Sequence, residues 1–147
     1  MARTRTTRTK AALTTGAMVL AAMGGSLLTA TPAAAIGWCN ATVTVRGSFI
    51  EWAGEAKIPS YGTNKTCQMS KGSHSSAVGA LQLTLNKCYG EKLSVDNDFG
   101  ENTRLALIRA QKRAGTGADG IYGPNTRDAL GWYFKPVTPG YDECSRI

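Results

Sequence analysis

A single histidine, His74, occurs in 147 residues, so the multi-histidine sets used by most catalytic zinc sites are excluded. The four cysteines show no Cys-x-x-Cys spacing, and no histidine lies within reach of a cysteine pair, which removes a structural zinc site as well. Acidic residues are missing from the first ten positions, where Arg3, Arg5, Arg8 and Lys10 gather. Without those four, 13 basic residues face 10 acidic ones, and the formal charge of +7 falls to +3. A nucleic-acid partner therefore loses most of its electrostatic support. There is also no Arg-Arg pair, which favours the general export route over the twin-arginine one.

What is present at the start is a leader. Residues 1–35 combine the basic beginning with an apolar stretch from Ala11 to about Ala30 and the small residues Thr31-Pro32-Ala33-Ala34-Ala35, the pattern of a secretion signal peptide. Thr14, Thr15, Gly16, Gly24, Gly25 and Ser26 would make a poor permanent span, and Trp38 directly before Cys39 argues against a lipid-modified cysteine. The expected product begins near Ile36, is secreted or cell-wall associated, contacts no membrane after signal removal, and is a monomer. In an oxidising compartment Cys39, Cys67, Cys88 and Cys144 read as two disulfides, for which sequence allows three pairings. Cys39 with Cys67 and Cys88 with Cys144 is favoured, since the first would staple a short N-terminal region and the second would tie the tail to a helix. Each is worth roughly 3–4 kcal/mol by loop entropy.

The remaining chain divides near residue 71. Residues 36–71 read as a short disulfide-stapled segment, with Val43 and Val45 alternating against Thr42 and Thr44 and with the turn formers Pro59, Ser60, Gly62 and Asn64 behind them. Ser75 or Ser76 can cap a first helix, on which Val78, Leu81, Leu85 and Cys88 share a face while Leu83 lies off it. Residues 72–134 are expected as one helical domain and 135–147 as a tail holding Cys144.

Within that domain Asp96 to Leu107 and Asp119 to Leu130 align with seven of twelve positions identical, and with Phe99 against Tyr122. Each copy reads as a turn followed by a helix start. Pro124 suits the first helical position, so Gly123 becomes the cap, and the Thr126 hydroxyl is expected to meet free backbone N–H groups. Gly100 and Thr103 take the same places in the first copy. The second helix is predicted from about Glu101 to Ala114, stopped by Gly115 and Gly117, and the third from Pro124 to about Trp132.

Val78-Gly79-Ala80-Leu81-Gln82, Leu85-Asn86, Asp96 to Thr103, Gln111, and Asp119-Gly120-Ile121-Tyr122-Gly123 with Thr126 and Leu130 resemble the three-helix peptidoglycan-binding domain of secreted bacterial, actinobacterial-type proteins. The resemblance covers about residues 72–132. It departs at Asn97, where glycine is usual, at Ala110, where an aromatic precedes Gln111, and at Thr116, where leucine is usual. It implies an all-α fold, a small three-helix bundle with a short extended N-terminal segment and two disulfides. It further implies a noncatalytic module whose partner is peptidoglycan, a family often joined to wall hydrolases; Ile36 to Lys71 is too short to house one.

Candidate sites were weighed against ordinary structural roles. Asp96 and Asp98 could pair for glycoside hydrolysis, but two residues apart before a helix they fit turn and helix-dipole roles better. A calcium loop fails because Gly100 stands where an oxygen ligand belongs. His74 in a serine-rich linker reads as solvated. The repeated Asn102, Arg104, Asn125 and Arg127 are candidate ligand contacts at helix starts, able to hold a stem-peptide carboxylate, although solvated arginines are common there. Tyr122 and Trp132 are candidate sugar-stacking aromatics, with Tyr89, Tyr133 and Phe134 nearby; the ordinary reading is core. Asn40-Ala41-Thr42 and Asn64-Lys65-Thr66 fit a glycosylation triplet and carry little weight in a bacterial setting. No catalytic residue, metal ligand or cofactor is expected. The other function considered is a secreted protein-interaction or inhibitor module on the same scaffold.

Overall fold

The computed structural model describes residues 35–48, 53–137 and 142–147, so the expected leader lies outside the described residues except for Ala35. In chain order the elements are β1 (Gly37–Trp38), β2 (Ala41–Ser48), β3 (Ala53–Ser60), β4 (Cys67–Gln68), α1 (Ser76–Tyr89), α2 (Glu101–Ala114), α3 (Pro124–Ala129), β5 (Trp132–Pro136) and β6 (Glu143–Ser145). The strands form a parallel pair, β1 with β4, and a four-stranded antiparallel sheet in the order β2-β3-β5-β6.

The all-α bundle inferred from the sequence is therefore corrected to a mixed α/β architecture. Two misreadings account for this. The third helix is predicted to reach about Trp132, yet along Trp132-Tyr133-Phe134 exposure alternates buried, intermediate, buried, which is the two-residue period of a strand. The helix stops at Ala129 because Leu130 turns extended (φ −72°, ψ 144°), and β5 starts two residues later. Second, β3 is built from Ala53-Gly54-Glu55-Ala56-Lys57-Ile58-Pro59-Ser60, a sequence with weak strand propensity. Its register is set by pairing with β2 from Ala41↔Ser60 to Ser48↔Ala53, and by burying Ala56 and Ile58 completely. Residues 135–147 likewise contribute strand, since Lys135 pairs with Glu55 and Cys144 with Tyr133.

Helix boundaries follow local chemistry. Gly90 and Gly115 adopt the left-handed conformation at the ends of α1 and α2, and Pro124 opens α3 behind Gly123. Ser75 holds the cap position of α1, but its hydroxyl donates instead to the Cys39 carbonyl (3.1 Å). One apolar core joins Ile58 of β3, Val78, Leu81 and Leu85 of α1, Leu107 of α2, and Trp132 and Phe134 of β5, together with Met69, Phe99 and Tyr122 from the connections. Disulfides join Cys39 to Cys67 and Cys88 to Cys144.

Candidate functional site

Each repeat turn is organised by a buried glutamine from the preceding helix. Gln82 Nε2 lies 2.8 Å from Asp96 Oδ1, 2.9 Å from the Asp98 carbonyl and 3.2 Å from Thr103 Oγ1, while its Oε1 accepts from the N–H groups of Asp96 and Asn97. Gln111 reproduces the set with Asp119 Oδ1 (3.0 Å), the Ile121 carbonyl (2.9 Å), Thr126 Oγ1 (3.0 Å) and the Gly120 N–H (2.9 Å). The threonine hydroxyls thus bind the glutamine amide and a turn carbonyl rather than helix N–H groups. Both turns need a left-handed residue at the same place, Asn97 (φ 65°) and Gly120 (φ 75°), which explains how asparagine replaces the usual glycine: its short polar side chain tolerates that conformation.

The segment between β4 and α1 laces these turns together. Met69 exchanges two backbone hydrogen bonds with Tyr122, and residues 72–75 run antiparallel to 97–99 through Gly72 N–H to the Phe99 carbonyl, Phe99 N–H to the Ser73 carbonyl, and Ser75 N–H to the Asn97 carbonyl.

Around the first turn a groove of about 580 Å³ opens between the end of α1, the 96–98 turn and the start of α2. Glu91, Lys92, Ser94, Asp96, Asp98, Glu101, Asn102 and Arg109 are among its polar lining, and no aromatic residue borders it among the described residues. Its charges are largely paired. Arg109 grips Glu91 bidentately (2.9 and 2.5 Å), and that hydrogen bond holds the Glu91 carboxyl below the usual carboxylate range. Arg104, and then Lys71, hold the Glu101 carboxyl down at about 2. The Gln82 amide lowers the Asp96 carboxyl as well. The second turn borders a smaller groove of about 290 Å³, with Asp119, Ile121, Gly123, Pro124, Asn125 and Thr126 at the positions that Asp96, Asp98, Gly100, Glu101, Asn102 and Thr103 hold in the first.

The six candidate contacts fall in different surroundings. Asn102 and Asn125 are exposed, one in each groove. Arg104 is engaged by Glu101, with its aliphatic stem against Gly120, where an added Cβ would come within 2.8 Å of Cγ. Arg127 is held by Asp128 (2.7 and 3.0 Å) and donates to the Lys65 carbonyl (2.9 Å), clamping the N-terminal segment to α3. Tyr122 and Trp132 are wholly buried, packed edge to face at 6.0 Å, and the Trp132 indole N–H donates to the Arg127 carbonyl (2.9 Å). Neither presents a face to solvent. The neighbouring aromatics are engaged too: the Tyr89 hydroxyl accepts from the Gly131 N–H, Tyr133 donates to Asp142, and Phe134 is core. Among the described residues the large exposed aromatics are Trp38 and Tyr61, in the 36–71 segment, where the sequence singled out no ligand contact.

Comparison with known proteins agrees with this arrangement. The family described as "Putative peptidoglycan binding domain" matches residues 74–130, the span holding both glutamine-centred turns. A Bacillus licheniformis protein named "Probable N-acetylmuramoyl-L-alanine amidase" is 49% identical over 39 residues, 26% of this chain and 11% of the relative, so the chain spans about a tenth of that protein. The crystal structure of a peptidoglycan-binding protein from Clostridioides difficile in complex with glutamine hydroxamate is similar at 27% identity and a TM-score of 0.45, over 59% of this chain and 56% of that one. Residues 74–130 thus match the model of the peptidoglycan-binding domain family.

Proposed function

We propose that the protein is exported and held at the cell wall by noncovalent recognition of peptidoglycan, that it makes and breaks no bond, and that the groove beside the first repeat turn receives the peptide-bearing part of the polymer. The observation that carries this reading is the lining of that groove. Carboxylates, a guanidinium, an ammonium group and the exposed Asn102 amide match the amides and charges of a stem peptide, while none of the groove's described lining residues is aromatic. Fixed ion pairs at the rim preorganise the surface and lower the ordering cost of binding. A noncatalytic role is supported by the carboxyls themselves. Glu91, Asp96 and Glu101 are all shifted down, and a glycosidase acid needs a carboxyl shifted up so that it carries a proton near neutrality.

Cosedimentation of the oxidised protein with purified sacculi tests this at low and high salt, beside an Asn102→Trp variant that fills the groove. Saturable binding that persists in salt and weakens at least tenfold in the variant is expected. Failure to sediment, or sedimentation of both forms that salt abolishes, would overturn it and leave only charge attraction.

A further inference from the structure

Trp38 is 57% exposed although it stands directly before the buried Cys39–Cys67 bridge. The backbone that carries this indole is anchored. Its strand β1 lies parallel to β4, Cys39 N–H donates to the Gln68 carbonyl (3.0 Å), Asn40 N–H to the Ser60 carbonyl (2.9 Å), and the Ser75 hydroxyl to the Cys39 carbonyl (3.1 Å). An indole carried on a backbone anchored on both sides needs no ordering of the chain when a ligand settles on it. Beside it lies a depression of about 430 Å³ whose other borders include Asn40, Ser70, Lys71, Ser73 and His74. Asn40 accepts from the Gly62 N–H through Oδ1, which directs its amide NH2 group to other acceptors. One apolar plane among short amide, hydroxyl and imidazole groups suits a pyranose, which has a CH-rich face and a polar edge.

Position strengthens the assignment. Lys71 pairs with Glu101 (3.0 Å) and His74 faces Asp98 (3.9 Å), and those two acids border the groove beside the first repeat turn. The two depressions therefore share one ridge, whose backbone is the antiparallel 72–75 and 97–99 pairing. We propose that Trp38, with Asn40, Ser70 and His74, forms a saccharide subsite of the wall polymer. The glycan strand stacks on the indole while its stem peptide crosses the ridge into the groove. This rests on the groove reading above, and it lies almost wholly outside the residues that match the peptidoglycan-binding family.

The test uses three probes with the oxidised full chain: intact sacculi, glycan strands stripped of stem peptide, and free stem peptide. Wild type should bind stripped strands, Trp38→Ala should weaken that at least tenfold, and Trp38→Phe should retain part of it. Stem-peptide binding should be the same in all three proteins, and unchanged melting of both variants would show that the fold is kept. Stripped strands ignored by wild type, or bound equally by Trp38→Ala, would overturn the subsite. Retention on intact sacculi in that case would leave the groove reading standing, whereas loss of sacculus binding by wild type would overturn the groove reading itself.

Discussion

At Tyr122 the second repeat carries a phenol where the first has Phe99, and both side chains are fully buried. The Tyr122 hydroxyl has no hydrogen-bond partner among the described residues, and burial pushes its pKa up. An unsatisfied buried hydroxyl costs about 1–3 kcal/mol, so Tyr122→Phe should stabilise the fold by about 1 kcal/mol, read as a higher urea midpoint; Phe99 shows that the repeat accommodates the smaller group. A lower midpoint would mean that the hydroxyl has a partner after all. Glu101 gives a pH prediction. Its carboxyl, ordinarily near 4.5, sits at about 2 in the fold, so its contribution is complete above 4.5 and disappears as pH falls toward 2. Urea midpoints measured from pH 5 to pH 2 should decline, and Glu101→Gln should decline less over that window. Equal declines would show that Lys71 and Arg104 add nothing through this carboxylate.

At the scale of elements, the repeat turns were legible because glycine, proline and the left-handed position are local requirements of the chain, and α2 occupies the span its periodicity and stop glycines predict. The glutamines appeared in the sequence only as motif letters. Their meaning depends on contacts across 14 and 8 residues, from Gln82 to Asp96 and from Gln111 to Asp119, and no periodicity reports these. Gln82→Leu should cost about 3 kcal/mol by leaving the Asp96 and Asn97 amides without their glutamine acceptor, measured by chemical denaturation. A loss below about 1 kcal/mol would make the hub dispensable. Of the sheet only β2 was legible, in the alternation of Val43 and Val45 against Thr42 and Thr44, and the rest was hidden for the opposite reason. Strand β3 is specified by its neighbours rather than by its own alanine, glycine and proline, and the aromatic run of β5 follows a helix so closely that the change of period was missed. The candidate site was legible only in part, since asparagine and arginine repeat together in sequence while only the asparagines reach open grooves.

On the scale of the whole molecule, the segment leading to α1 and strand β5 share one core with the helices, so removing either should expose it. The Cys88–Cys144 bridge spans 56 residues and fixes β6 against the end of α1. Cys88→Ser/Cys144→Ser should therefore cost about 4 kcal/mol, measured as a fall in the denaturation midpoint, with the β6 end the first region to lose amide protection. A midpoint unchanged by the double substitution would assign the docking of β6 to its strand pairing alone. The bridges also close two arcs, 39–67 and 88–144, that together take in most of the described chain. A protease cut inside either arc leaves its two pieces covalently joined. Between the two arcs, cleavage at 68–87 parts them, and most of that stretch is α1, pressed into the core by Val78, Leu81 and Leu85. Samples nicked inside either arc should therefore migrate intact without reductant and break into fragments once thiol is added, whereas a cut at the exposed Lys71-Gly72 connection between the arcs separates them without thiol.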